Sequence, residues 1–148
     1  MITQQPGEPG NSPPASAILE TCLHVSDLSR ARDFYTAIFG YPVMKEDLRF
    51  CALRVDLQQI LILFLRGSDP DGSHLPFGTI PPHETSGAAH VGFAIPTESL
   101  AAWKAWLQKR GVVIESCFTW PTGGTSVYFR DPDGHLLELL TPGVWPIY

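Results

Sequence analysis

Apolar residues recur along this chain in two patterns, one with the spacing of a helix and one typical of strands. Two segments carry them at the three- and four-residue spacing of an amphipathic helix, and a glycine follows each segment, as is usual just past a helix end. The pattern predicts one helix over 28–39, before Gly40, and a second between Thr97, a predicted N-cap, and Gly111. The apolar positions concerned are Leu28, Ala31, Phe34, Tyr35, Ile38, Phe39, Leu100, Trp103, Trp106 and Leu107.

Short apolar runs of strand length surround each predicted helix, one before it and three after it. Both halves of the chain therefore have the element order βαβββ, which predicts an internal repeat with modules at 19–66 and 87–142. Asp131, Pro132 and Gly134 stand at the first, second and fourth positions of a predicted type I turn. The predicted strands are 19–25, 41–45, 50–55, 60–65, 88–95, 112–117, 125–130 and 135–140.

Two segments rich in turn-forming residues lie outside the modules. Residues 1–17 hold four prolines, two glycines and no apolar stretch, so we expect a flexible tail there, not a signal peptide. Residues 67–86 are rich in Pro, Gly, Ser and Asp and are expected to link the modules and to border a site. A single domain is predicted over 18–148.

Composition excludes several classes of function. The 148 residues are 44% hydrophobic and carry a formal charge of −5 without a basic block, which argues against a nucleic-acid partner. No apolar run is long enough to cross a membrane. Cys22, Cys51 and Cys117 are odd in number and far apart, so we expect free thiols in a reducing, cytoplasmic setting.

Three residues capable of binding a metal lie inside predicted strands. His24 and His90 occupy the first strand of their halves, and Glu138 occupies the last strand of the second half. A carboxylate facing an apolar core is costly unless it is paired or bound to a metal. Two imidazoles and a carboxylate can form a facial triad that leaves coordination positions open. Each residue also has an ordinary alternative, a hydrogen-bonded core histidine or a carboxylate facing water.

Strand alternation groups the residues that precede Glu138. Ser126, Tyr128 and Arg130 share one face of their strand, which faces either the site or water, and the other face is apolar. Trp120 walls a pocket or packs in a core. The remaining candidates are Cys22, as a soft ligand or a buried thiol; His74 and His83, as solvated loop residues or parts of a lid; and His135, which is out of phase with Glu138 and is left out of the site.

Three segments together resemble the vicinal oxygen chelate superfamily, which groups glyoxalase I, bleomycin-resistance proteins, fosfomycin-resistance enzymes, methylmalonyl-CoA epimerases and extradiol dioxygenases. The resemblance covers about 19–142. The segments are DLSRARDFY at 27–35 ending in FGY at 39–41, AHVGF at 89–93, and YFRDPDGHLLE at 128–138.

The resemblance implies an α+β fold in which two βαβββ modules form a curled mixed sheet around a central cup. The cup holds one divalent metal ion, Fe, Mn, Ni or Zn, with His24, His90 and Glu138 as ligands, and members of this size commonly form homodimers. Ile62 stands where glyoxalase I usually has a carboxylate. Glu138 and Tyr128 are the expected catalytic residues, and the expected substrate contacts are Ser26, Trp120, Ser126, Tyr128 and Arg130.

The function that follows is metal-dependent catalysis on a small substrate that chelates the metal through vicinal oxygens. Whether the reaction is that of a lyase, isomerase, transferase or dioxygenase stays open. A metal-free protein that sequesters a small molecule or drug, as the bleomycin-resistance members do, is the alternative. A structural or regulatory member with a vestigial site is a third possibility.

Overall fold

Two four-stranded sheets and two α-helices form the main body of the protein, which we describe from a computed structural model covering residues 13, 15 and 17–148. The predicted flexible tail, 1–17, lies almost entirely outside the described residues. Each sheet comes from one half of the sequence, and each half has the predicted βαβββ order.

The first module contains β1 (Glu20–Val25), α1 (Leu28–Phe39), β2 (Val43–Glu46), β3 (Phe50–Arg54) and β4 (Ile60–Leu65). Its sheet has the order β1-β4-β3-β2, with β1 parallel to β4 and the other pairs antiparallel. The Asp27 carboxylate accepts a hydrogen bond from the Arg30 amide at 2.8 Å and so caps the start of α1. Gly40, with φ of 71°, ends it in the left-handed conformation.

The segment between the modules contains a small hairpin, β5 (Ser73–Leu75) and β6 (Gly78–Ile80), whose strands pair with each other and with no other strand of residues 17–148. The sequence pattern predicted an irregular linker here, because three-residue strands are too short to show an alternating pattern.

The second module repeats the first with β7 (His90–Ala94), α2 (Leu100–Lys109), β8 (Ile114–Thr119), β9 (Thr125–Arg130) and β10 (Leu136–Leu140). Its sheet has the order β7-β10-β9-β8, again with a parallel pair, β7 and β10, at one edge. Thr97 begins a short 3-10 turn, so α2 starts two residues later than the predicted N-cap implied.

The apolar faces of both sheets and both helices share one hydrophobic core. Phe39 of α1 lies 4.6 Å from Phe93 of β7, between ring centroids. The Trp106 indole of α2 donates to the Ile38 carbonyl at 2.9 Å. The predicted α+β class and paired modules are confirmed, and the strands form two separate sheets. Because each sheet buries its apolar face in the shared core, its other face, called here the open face, points away from that core.

Neither helix in the described part of the chain is long and apolar enough to span a membrane.

Candidate functional site

The open face of the second sheet brings His90 and Glu138 together. The His90 Nε2 atom lies 3.2 Å from the Glu138 Oε2 atom. The strands place them there, because Glu138 pairs with Gly92 on β7 and with Tyr128 on β9, and alternate residues share a face. Glu138 is only 7% exposed although its strand neighbours are leucines, so its carboxylate needs a partner of positive charge.

A hydrogen bond to the backbone fixes the orientation of the His90 ring. Its Nδ1 atom lies 3.0 Å from the Leu136 carbonyl oxygen, which can only accept, so Nδ1 carries the proton. In the neutral ring, Nε2 then presents a lone pair to the Glu138 carboxylate. Two hydrogen-bond acceptors that face each other at 3.2 Å repel each other. A proton on Nε2, or a cation between the two atoms, makes the contact favourable. This donor set therefore fits a divalent metal.

An aromatic wall borders the pair on the same open face. Phe118 lies 4.8 Å from Trp120 and 5.9 Å from Tyr128, between ring centroids. The Trp120 indole donates to the Ser126 hydroxyl at 2.8 Å. Burial raises the pKa of Tyr128, a hydrogen bond with Ser126 lowers it by less, and the Glu138 carboxylate beside it raises it further. The phenol is therefore a proton donor at neutral pH.

Arg130 and Ser26, both predicted to contact substrate, are bonded to other parts of the chain. Arg130 lies on the open face, but its Nε atom donates to Glu115 at 2.7 Å and a terminal nitrogen donates to the Gly134 carbonyl. Ser26 follows β1, and its hydroxyl donates to Asp133 at 2.7 Å.

His24 lies on the open face of the first sheet, beside a cavity of about 620 Å³. Its ring stacks on Phe64 at 5.7 Å and lies 5.4 Å from the ring of His83. Burial, and then His83, lowers the pKa of His24, so the ring is neutral at pH 7. Its Nδ1 atom is buried with no hydrogen-bond partner in the described part of the chain, which leaves one imidazole nitrogen free for a ligand.

The cavity beside His24 combines an apolar floor with a polar rim. Cys22 is in phase with His24 and lines the cavity as an exposed thiol, so the expectation of a buried thiol was wrong. The apolar lining residues are Phe50, Ile62, Phe64, Leu75 and Ile80.

His83, predicted to be either a solvated loop residue or part of a lid, lines the cavity. Its ring lies 4.7 Å from Phe64 in an edge-on arrangement. Arg66 holds the surrounding loop by donating to the Thr85 and Gly87 carbonyls at 2.8 and 2.9 Å. No local pattern could have revealed this position. His74 is exposed on the hairpin, 3.3 Å from Thr79, as a loop histidine was expected to be.

Of the three predicted metal ligands, the structure brings His90 and Glu138 together within one chain, and His24 lies apart from them. Residues 13, 15 and 17–148 contain no group of three side chains able to hold a metal ion. The physical reason is the shared core, because both sheets bury their apolar faces in it and their open faces, with these residues, point away from it. The structure thus presents two separate half-sites, His24 beside its cavity and the His90–Glu138 pair beside the aromatic wall.

Comparison with known proteins agrees with this architecture. Biphenyl-2,3-diol 1,2-dioxygenase 3 of Rhodococcus globerulus is 32% identical over 118 residues, which are 79% of this chain and 58% of that protein. The chain thus spans little more than half the length of that relative. Metallothiol transferase FosB of Bacillus licheniformis is 31% identical over 124 residues, 82% of this chain and 72% of that protein.

Among solved structures, lactoylglutathione lyase from Agrobacterium tumefaciens superposes with a TM-score of 0.81 at 29% identity, covering 90% of this chain and 99% of that one. These relatives are named as enzymes of three different reactions. A family profile, that of the Glyoxalase/Bleomycin resistance protein/Dioxygenase superfamily, matches residues 17–139 and so spans both modules. With the paired βαβββ modules and these relatives in agreement, the chain belongs to the Glyoxalase/Bleomycin resistance protein/Dioxygenase superfamily.

Proposed function

We propose that this protein is a divalent-metal-dependent enzyme whose small substrate binds the metal through two neighbouring oxygens. The observation that carries the proposal is the His90–Glu138 pair, with Nε2 and Oε2 3.2 Å apart and the Nδ1 proton engaged by a backbone carbonyl. His24 supplies the third ligand, because it is a neutral, buried imidazole with a free nitrogen.

We further propose that the complete site forms between two copies of the chain. His24 and the His90–Glu138 pair lie on open faces that point away from the common core, so a second copy has to bring one half-site to the other. A two-fold dimer does this twice, because whatever one chain contributes to its partner the partner contributes in return. Each site then contains His24 from one chain and His90 and Glu138 from the other.

The side chains around the proposed site have separable roles. A bound divalent metal would act as a Lewis acid that stabilises negative charge on a substrate oxygen. Tyr128, protonated and beside Glu138, is placed to donate a proton to such an oxygen. Phe64 and the aromatic wall exclude water and contact the apolar part of the substrate. Ser126 orients Trp120 through its hydroxyl.

The aromatic wall also supports a second candidate function. Phe118 and Trp120 are 42% and 37% exposed, and an exposed pair of aromatic rings, tilted by 58° to each other, is suited to holding an aromatic molecule without any chemistry. A metal-free sequestering protein would use this wall and would not depend on Glu138.

Complementation between two inactive variants tests the shared site. Chains carrying His24→Ala and chains carrying Glu138→Ala are purified without histidine tags, mixed, unfolded and refolded, and bound Zn²⁺ is counted by elemental analysis. Zn²⁺ is a suitable probe because it is redox-inert and binds nitrogen and oxygen ligands well.

Each variant alone is expected to hold little Zn²⁺. The mixture should recover about a quarter of the wild-type metal, because about half of the dimers are mixed and each mixed dimer has one intact site. No recovery, with wild-type chains binding Zn²⁺, would overturn the shared site. Wild-type chains that stay metal-free and bind an aromatic ligand would favour sequestration.

A further inference from the structure

We infer that His135 is a positioning residue, which holds the strands of the two histidine ligands at a fixed separation; the inference rests on the proposed function of His24 and His90. His135 is 1% exposed, and neither of its ring nitrogens faces solvent or the proposed site. Its Nε2 atom lies 2.8 Å from the carbonyl oxygen of His24, and its Nδ1 atom lies 2.8 Å from the amide nitrogen of Ala89, the residue before His90.

These two bonds define one tautomer of the ring. The Ala89 amide can only donate, so Nδ1 accepts, and the His24 carbonyl can only accept, so Nε2 carries the proton. A neutral imidazole with the proton on Nε2 satisfies both strands at once. An apolar side chain would leave both backbone groups without these partners, which is costly at a buried position.

The turn before β10 fixes the ring from the other side. Asp131 Oδ1 accepts from the amides of Asp133 and His135, both at 2.9 Å, and Asp131 Oδ2 accepts from the Tyr35 hydroxyl of α1 at 2.8 Å. Asp133 Oδ1 in turn accepts from the Ser26 amide at 2.7 Å, just past the end of β1. The ring is thus attached to a rigid turn, and through that turn to the first module.

The bridge matters because the His135 ring is hydrogen-bonded directly to both ligand strands. β1 and β7 are edge strands of different sheets, and within the described residues they share no backbone ladder. The spacing between the backbones of His24 and His90 therefore depends on the His135 ring. In the proposed dimer, His24 and His90 of one chain belong to different metal sites. Each His135 therefore affects the geometry of both metal sites.

Three variants separate positioning from simple stability. His135→Leu removes both bonds, whereas His135→Gln keeps one donor and one acceptor on its amide. Trp106→Phe is the matched control, because it removes a half-buried hydrogen bond to the Ile38 carbonyl without touching either ligand strand or the turn before β10. Zn²⁺ affinity is measured by chelator competition, and hydrogen exchange of the Ala89 amide is measured by NMR on metal-free protein.

The expected result is about tenfold or greater loss of Zn²⁺ affinity in His135→Leu, in the range found when partners of metal ligands are removed. Exchange at the Ala89 amide should be faster by a similar factor. His135→Gln should recover most of both, and Trp106→Phe should keep the wild-type affinity. Unchanged affinity in folded His135→Leu, or an equal loss in Trp106→Phe, would overturn the inference.

A wild-type measurement covers the case in which the leucine variant does not fold. The ring nitrogen shifts of His135 at pH 7 should show the proton on Nε2, and the opposite tautomer would overturn the inference. A wild-type chain that binds no Zn²⁺ contradicts the proposed function instead, and exchange at Ala89 together with the tautomer then decides whether His135 holds the strands.

Discussion

Gly92 and Glu138 are direct partners across the parallel strands β7 and β10, and the missing side chain of Gly92 leaves the room beside the Glu138 carboxylate. A Cβ atom on Gly92 would lie 3.7 Å from Oε2 of Glu138 and 3.0 Å from Cδ2 of Leu140. The second contact is tight, but it involves the flexible end of a leucine, which can move.

Gly92→Ala is therefore expected to keep the wild-type Zn²⁺ affinity. Gly92→Val should lower the Zn²⁺ affinity about tenfold or more, because its additional methyl groups would clash with the Glu138 carboxylate. Both variants should fold, since valine is favoured in strands. Chelator competition measures the affinity. Ala94→Val, on the same face of β7 one pair further along, is the control. Equal affinity in Gly92→Val and wild type would remove Glu138 from the ligand set.

Replacing Glu138 itself tests the charge of the site. Two neutral imidazoles carry no negative charge, so Glu138→Gln leaves the metal's charge uncompensated by the chain and should lower Zn²⁺ affinity by about 100-fold. Turnover, once a substrate is known, should fall with occupancy and disappear on chelation. Glu115→Gln on β8 is the matched control, because it removes a carboxylate that is paired with Arg130 of β9. Full Zn²⁺ occupancy in Glu138→Gln would refute the assignment.

Much of the fold could be predicted because its signals are local. Period-two alternation was enough to put Val127 and Phe129 on one face of β9 and Ser126 and Tyr128 on the other, and the structure buries the first pair in the core. The turn residues Asp131 and Gly134 also carried their own signal, since the Gly134 amide donates to the Asp131 carbonyl at 3.1 Å. Local spacing determines such features whatever the rest of the chain does.

The arrangement of the site could not be predicted, because it depends on how the modules pack. Matching strand positions place His24 and His90 at corresponding points of two sheets, but they do not show that the sheets turn away from each other. His135 was left out for being out of phase with Glu138, and that phase is what directs its ring between the modules. His83 reaches the cavity through a loop held by Arg66, a contact that no periodicity encodes.

The buried hydrogen bond from Tyr35 to Asp131 should contribute measurably to stability. Tyr35→Phe leaves Asp131 Oδ2 without this donor in a buried position, so the free energy of unfolding should fall by about 1–3 kcal/mol. Urea denaturation measures the change, and an unchanged slope shows that the folded state is intact. Tyr41→Phe is the control, because it removes a tyrosine hydroxyl from the same core region at a position away from Asp131. An equal loss in both variants would contradict the role of this bond.

The three cysteines should react with iodoacetamide in an order set by burial. Burial, with a contribution from Glu46, raises the pKa of Cys51 from 9.0 to about 11, so at pH 8 it is a neutral thiol inside the core. Cys117 and Cys22 are exposed and should be labelled, Cys22 more slowly because desolvation raises its pKa. Mass spectrometry of the digested protein measures the fraction of each cysteine that is labelled. Labelling of Cys51 in folded protein would contradict its place in the core.

The same shift predicts a loss of stability in alkali. The Cys51 thiol gives up its proton at a lower pH in the unfolded chain than in the fold, so its contribution to stability is complete below pH 9 and declines as the pH rises through about 11. Cys51→Ala, although less stable at pH 8, should show a weaker dependence on pH in this window. Urea denaturation at several pH values measures it, and parallel curves for the two proteins would argue against the shift.

The hairpin of β5 and β6 has a consequence for how substrate preference can change. Among the described residues its two strands pair only with each other, yet its Leu75 and Ile80 line the cavity beside His24. Because no ladder of either large sheet runs through it, its residues can be exchanged without altering the register of the strands that carry His24, His90 and Glu138. The hairpin, which lines the cavity, and the strands that carry the proposed metal ligands can therefore diverge in sequence at different rates. Grafting a foreign hairpin between Asp69 and Pro81 is a direct route to a new specificity.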